Sequence, residues 1–125
     1  MAAGANEIIL RTSKDWDDWY EGVQMKAMAS NFQKYIDLDA PRIDPPMEPE
    51  PYQPNTADLR LEVLHVQYYL YKQRMETYKT YMKGVKEIYD HIFATVDLRL
   101  CRALTKTPDP RLTLEELKEI IAPTK

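Results

Sequence analysis

An apolar stripe in residues 57–96 constrains the fold of this chain more than any other feature of its sequence. Its members recur at alternating steps of three and four positions, which is the heptad period of a helix that buries one side. We call this set the seam, and it consists of Leu61, Leu64, Tyr68, Tyr71, Met75, Tyr78, Met82, Val85, Tyr89, Ile92 and Val96. Because the period continues through Gly84, it predicts one helix over about 57–97, either straight or bent near that glycine.

The predicted helix is too long for a body of this size to cover. About 40 helical residues extend roughly 60 Å, whereas a compact domain of 125 residues has a radius of gyration of about 14 Å. The helix must therefore bend or be covered by other helices, from the same chain or from a second copy. We expect the seam to form core or interface, and we expect a homo-oligomer.

A first amphipathic helix is predicted over about 14–30. Thr12 and Asp15 have the spacing of a capping box, which marks a helix start. One apolar face follows, and its members are Trp16, Trp19, Tyr20 and Val23. Paired aromatic side chains can form a ligand platform, but a shared helix face favours a role in the core. A short helical turn is predicted over 31–36.

The remaining segments complete a single all-α domain over residues 1–125. Residues 1–10 read as a loose arm whose apolar end, 8–10, would dock on the core, and residues 41–55 form an acidic, proline-rich connector that should run extended. PxxP spacings in the connector would also suit the aromatic-lined groove of a partner. Short C-terminal helices follow, one capped by Asp97 and a last one that begins with a capping box at Thr113 and Glu116 and stops before Pro123.

Charge is distributed unevenly along the chain. The net charge is only −3, which gives no general reason to expect nucleic-acid binding. Residues 1–55 carry five basic and ten acidic side chains, and residues 56–125 carry twelve and ten. Such a polarity would align neighbouring copies head to tail, unless it is chance unevenness on a solvated surface. One side of the long helix is predominantly basic, with a row at three- and four-residue steps formed by Lys72, Glu76, Lys79, Lys83 and Lys86. We call its four lysines, Lys72, Lys79, Lys83 and Lys86, the basic row, which would contact RNA phosphates, the acidic N-terminal half of another copy, or solvent alone.

The sequence contains no recognisable catalytic or metal-binding motif. His65 and His91 would lie about 39 Å apart on a straight helix, and Cys101 is the only cysteine. We therefore expect no enzymatic activity, no metal and no cofactor. No apolar run approaches the length of a membrane span, and a lone cysteine fits a reducing compartment, so we expect a cytoplasmic protein that does not enter membranes.

The order of these features resembles the N-terminal, capsid region of the Gag polyprotein of copia-type LTR retrotransposons, particularly the fungal ones. The resemblance rests on "DWDDWYEGVQMKAMASNFQKYIDLD", "PRIDPPMEPEPYQP", a long helix that ends in "VKEIYDHIFATVDL", and "TLEELKEIIAPTK". Its most specific part is the helix containing Trp16 and Trp19, followed by "YID" and the prolines. The family's zinc knuckle, protease, integrase and reverse transcriptase have no counterpart here. The chain stops where family members usually continue, which suggests a Gag fragment or a domesticated short protein.

The resemblance implies a structural domain that assembles into oligomers or virus-like particles around the RNA of the element. A domesticated interaction module would differ from it, for example by inhibiting assembly through co-polymerisation with full-length Gag. Two further candidates for the function are an RNA-binding helical domain that uses the basic row and a small helical enzyme.

Overall fold

The computed structural model of the chain describes residues 8–52 and 60–121. A 3₁₀ turn, Ser13–Asp15, leads into helix α1 (Trp16–Ala29), which is followed by α2 (Gln33–Ile36), α3 (Leu61–Thr95), α4 (Leu98–Ala103) and α5 (Pro110–Ile121). The described residues include no strand, so the prediction of an all-α fold built on one long helix is confirmed. The predicted start of that helix at 57–59 lies outside the described residues, as do the arm over 1–7, the connector over 53–55 and the last stop at Pro123.

The chain divides into two compact units. Unit 1 consists of Met1–Asp44 and Gly84–Lys125, and unit 2 consists of Pro45–Lys83. In unit 1 the core is mostly apolar, although Thr95, Arg111 and Thr113 are also buried. Its fully buried apolar members include Leu10, Trp19, Val23, Phe32, Ile36, Ile88, Ile92, Leu114 and Leu117. The predicted inward face of the first helix is confirmed for Trp16, Trp19 and Val23, whereas Tyr20 is half-buried.

The start of unit 1 is ordered by a cap and by one buried leucine. The Asp15 carboxylate accepts hydrogen bonds from the backbone N–H groups of Thr12, at 3.0 Å, and Arg11, at 3.1 Å, as the predicted capping box requires. Leu10 donates its backbone N–H to the carbonyl of Thr95 at 2.7 Å and accepts from the N–H of Asp97 at 2.9 Å. The arm therefore docks on the end of α3 through Leu10.

The buried stripe of α3 within unit 1 is displaced from the seam. Val85, Ile92 and Val96 are buried as predicted. Tyr89 is only half-buried, whereas its neighbour Ile88, which is not a member of the seam, is fully buried. The reason is that a helix in a globular core buries a wider stripe of its surface than the narrow a/d stripe of a two-stranded coiled coil.

The last helix begins earlier than predicted. Pro110 is its first residue, and the Asp109 side chain accepts from the backbone N–H of Arg111 at 3.0 Å. Proline is favoured at the first helical position because its missing N–H has no partner to lose there. The predicted capping box at Thr113 and Glu116 is therefore wrong. The cap of α4 is confirmed, because the Asp97 side chain accepts from the N–H of Arg99 at 3.0 Å.

Candidate assembly surface

In unit 2 the seam is partly exposed to solvent. Four of its members are half-buried, namely Leu64, Tyr71, Met75 and Tyr78. The exposed members are Leu61, Tyr68 and Met82. The seam prediction allowed core or interface, and within unit 2 these side chains do not form a dry core.

The proline-rich connector covers part of the seam in unit 2. Residues 41–52 contain neither helix nor strand, as the prolines require. The Tyr52 ring lies 5.3 Å from the ring of Tyr68, edge to face, and 5.6 Å from the ring of Tyr71. These are ordinary spacings for paired aromatic rings. The connector therefore supplies an aromatic cover that its sequence did not predict.

A second group of apolar side chains on α3 points to solvent. Val66, Tyr69 and Leu70 are all exposed, and their spacing of three and four positions places them on one side of the helix. We call these three residues the outer patch. Sequence reasoning missed the outer patch because the longer heptad period assigned its positions to the solvated side. The sequence did contain a signal for this patch, because Val66, Tyr69 and Leu70 are apolar residues at positions i, i+3 and i+4.

The basic row is exposed along α3. Lys72, Lys79, Lys83 and Lys86 all face solvent. Lys72 Nζ lies 5.4 Å from the centre of the Tyr68 ring, in cation–π contact. Lys86 pairs with Asp90 at 2.8 Å, and the hydrogen bond to that carboxylate raises the pKa of Lys86. Of the four lysines, Lys86 thus already has an acidic partner.

An open cleft of about 460 Å³ lies in unit 1, where α3, α4 and α5 meet. The Tyr89 hydroxyl donates to the carbonyl of Thr107 at 2.6 Å and lies 2.8 Å from the Thr113 hydroxyl. Burial raises the pKa of Tyr89. Phe93 stacks on Tyr89 with ring centres 5.7 Å apart. We call this the α4–α5 cleft, and its lining is Tyr89, Phe93, Cys101, Arg102, Leu104, Thr105, Lys106, Thr107 and Thr113.

The loop between α4 and α5 is fixed by a side chain of α5. The Glu116 carboxylate accepts from the backbone N–H of Thr105 at 2.9 Å and from its hydroxyl at 3.1 Å. Cys101 is half-buried in the cleft wall, and burial raises the pKa of its thiol. The cleft is therefore a preformed concave surface.

Over 8–52 and 60–121, no group of three or more His, Cys, Asp or Glu side chains could hold a metal ion. In the same part of the chain, no helix has the length and apolar character needed to cross a membrane. Comparison of this chain with protein-family models, curated proteins and solved structures finds no match.

Proposed function

We propose that this chain is a structural module that self-associates, and that it derives from the capsid region of a copia-type Gag protein. The observation that carries the proposal is the outer patch, because three large apolar side chains on one turn of a helix are left in water. Contiguous exposed apolar surface on a soluble domain marks interaction sites. Burial of such surface against a second copy favours association by about 25 cal/mol per Å² before the entropic costs of association are subtracted.

The seam in unit 2 adds to this surface. Tyr68 and Met82 are exposed members of a tyrosine-rich stripe. Tyrosine is suited to interfaces because its ring packs while its hydroxyl keeps a polar partner. A stable interface buries about 800 Å² per partner, which is more than three side chains supply. We therefore propose that the outer patch is the centre of a larger contact.

The proposal assigns the chain no enzymatic activity, cofactor or metal. We expect assembly in the cytoplasm, where a lone thiol such as Cys101 stays reduced. A domesticated inhibitor would use the same surface to co-polymerise with full-length Gag. Mixing the chain with full-length Gag distinguishes these two roles, since an inhibitor reduces the yield of particles and a capsid unit does not.

RNA binding is the second candidate function, and the exposure of the basic row favours it. Phosphate contacts by Lys72, Lys79 and Lys83 would make affinity for RNA fall steeply as salt rises. A filter-binding titration at low salt tests this candidate. Absence of binding by the wild-type chain, or equal binding after the three lysines are replaced by glutamine, would contradict it.

A pair of leucine substitutions tests self-association. Leu70 of the outer patch and Leu112 of α5 are each 44% exposed. A lysine at either position would therefore be similarly exposed to solvent in the isolated chain. We expect Leu70→Lys to weaken self-association at least about tenfold, because the interface would have to bury a charge. Leu112→Lys should associate as the wild-type chain does.

Light scattering coupled to size exclusion measures the mass of both variants against concentration. Circular dichroism confirms that each remains helical. Equal association of the two variants, with both folded, would contradict a role for the outer patch.

A further inference from the structure

The α4–α5 cleft combines apolar walls with two cations that have no acidic partner in the described part of the chain. Phe93 is 61% exposed although it is a large aromatic residue, and Leu104 contributes to the same wall. Arg102 and Lys106 belong to the lining as well. Among the described residues, neither of these two cations pairs with a carboxylate. The cleft therefore offers aromatic surface beside positive charge.

The connector offers the complementary chemistry. Met47 is 86% exposed, which is the highest value among the large apolar side chains described. Glu48 and Glu50 flank Pro49, and within the described part of the chain neither carboxylate has a basic partner. We call residues 47–50 the acidic loop. It presents one flexible apolar side chain and two negative charges on an extended, proline-rich backbone.

We propose that the α4–α5 cleft of one copy binds the acidic loop of a second copy. Proline-rich segments dock on aromatic-lined grooves because their extended backbone loses little conformational entropy on binding. In this pairing, Met47 would lie against Phe93 and Leu104, and the two glutamates would approach Arg102 and Lys106. The proposal rests on the proposed self-association and specifies one of its contacts.

The contact is heterologous, because the cleft and the acidic loop are different surfaces of one chain. A heterologous contact leaves a free cleft at one end of a pair and a free loop at the other. Repetition therefore produces open filaments or closed rings, the smallest ring being two copies that exchange their acidic loops reciprocally. This agrees with the excess of acidic side chains in residues 1–55 and of basic ones in residues 56–125.

A peptide titration tests the contact directly. A fluorescent peptide with the sequence of residues 44–52 is titrated into the full chain, and its anisotropy is followed at low and high salt. We expect saturable binding that weakens as salt rises. The double substitution Arg102→Gln, Lys106→Gln should weaken binding about tenfold, since it removes both charge contacts at an exposed rim.

The matched control is Lys79→Gln, Lys83→Gln, which removes two exposed positive charges of α3. This variant should bind the peptide as the wild-type chain does. Absence of saturable binding to the wild-type chain, or equal affinities of the two double variants, would overturn the proposal. Because the titration does not require the full chain to associate with itself, this result is separate from the test of the proposed function.

A mixing experiment tests whether the contact joins two copies. The cleft variant, Arg102→Gln, Lys106→Gln, retains its acidic loop, and a loop variant, Glu48→Gln, Glu50→Gln, retains its cleft. Each variant alone should show a lower average mass than the wild-type chain at the same concentration. Their equimolar mixture should recover mixed pairs. Wild-type masses for both variants alone would overturn the contact while leaving association through the outer patch intact.

Discussion

At the scale of single residues, Gly84 decides how α3 packs in unit 1. From the sequence, this glycine was a place where the long helix could bend. α3 is continuous helix through the position, and the ring of Phe32 lies against it. A Cβ at Gly84 would meet Phe32 Cδ1 and would lie 2.8 Å from Phe32 Cγ. The absence of a side chain is therefore a packing requirement.

The first prediction compares two glycines. Gly84→Ala should destabilise the fold by about 1–2 kcal/mol, because overpacking a buried ring outweighs the gain in helix propensity. Gly22 lies in α1, and a Cβ added there would meet nothing within 4 Å, so Gly22→Ala should stabilise the fold by up to about 1 kcal/mol. Urea unfolding followed by circular dichroism measures both. A Gly84→Ala protein as stable as Gly22→Ala would contradict the contact with Phe32.

Side-chain burial was predictable where a periodic pattern existed. The spacing of Trp16, Trp19 and Val23 predicted their burial, since residues three and four apart share a helix face. The buried hydrogen bond from Trp19 Nε1 to Thr95 Oγ1, at 2.8 Å, was not predictable, because the two residues are 76 positions apart.

A buried charge was also missed. Arg111 is buried, and its guanidinium donates to the carbonyls of Asp37, at 3.1 Å, and Ala40, at 3.0 Å. Its Nε also donates to the Glu115 carboxylate at 3.0 Å, an i, i+4 pair within α5. Arginine is rarely buried without partners, and the two backbone carbonyls are partners that no sequence motif identifies. Sequence patterns thus report which side of a helix is apolar, but not which distant carbonyl a cation will reach.

At the scale of secondary-structure elements, a helix start was predicted correctly where the capping residue lies next to it in the sequence. The Asp15 box and the Asp97 cap each satisfy backbone N–H groups at a helix start, and both are local signals. The start of α5 was placed at Thr113 because Glu116 follows three residues later. In the structure the Thr113 hydroxyl binds Tyr89 and Glu116 binds Thr105, so both side chains serve tertiary contacts.

The second prediction concerns acid stability. A hydrogen bond from the backbone N–H of Arg99 lowers the pKa of Asp97, and hydrogen bonds from the N–H groups of Thr12 and Arg11 lower the pKa of Asp15. A carboxylate whose folded-state pKa lies below its unfolded value adds stability above that unfolded value, near pH 4. This contribution is lost as pH falls through the lower, folded-state pKa.

Asp97→Asn tests this pH dependence, because asparagine also caps helices but does not titrate. Unfolding free energies measured between about pH 5 and pH 2 should fall less steeply for this variant than for the wild-type chain. Identical slopes for Asp97→Asn and the wild-type chain would contradict the role of the cap.

At the scale of the whole molecule, self-association would use surface that the described chain leaves exposed. The heptad period correctly predicted a long helix, but it did not predict which side of that helix would remain in water. The Tyr52 ring contacts the rings of Tyr68 and Tyr71, and Tyr71 is half-buried. The three side chains of the outer patch, Val66, Tyr69 and Leu70, are all exposed. This distinction depends on where the connector lies, which a periodic pattern along one helix does not encode.

The third prediction is that the wild-type chain associates with itself, and the most direct test is its mass in solution. Sedimentation velocity over a wide range of protein concentration, at low and at high salt, gives the average mass of the full chain. We expect this mass to rise with concentration above that of a single chain, because association follows mass action, and growth beyond two chains would identify a heterologous contact that does not close. The mass of a single chain at every concentration and salt would contradict self-association.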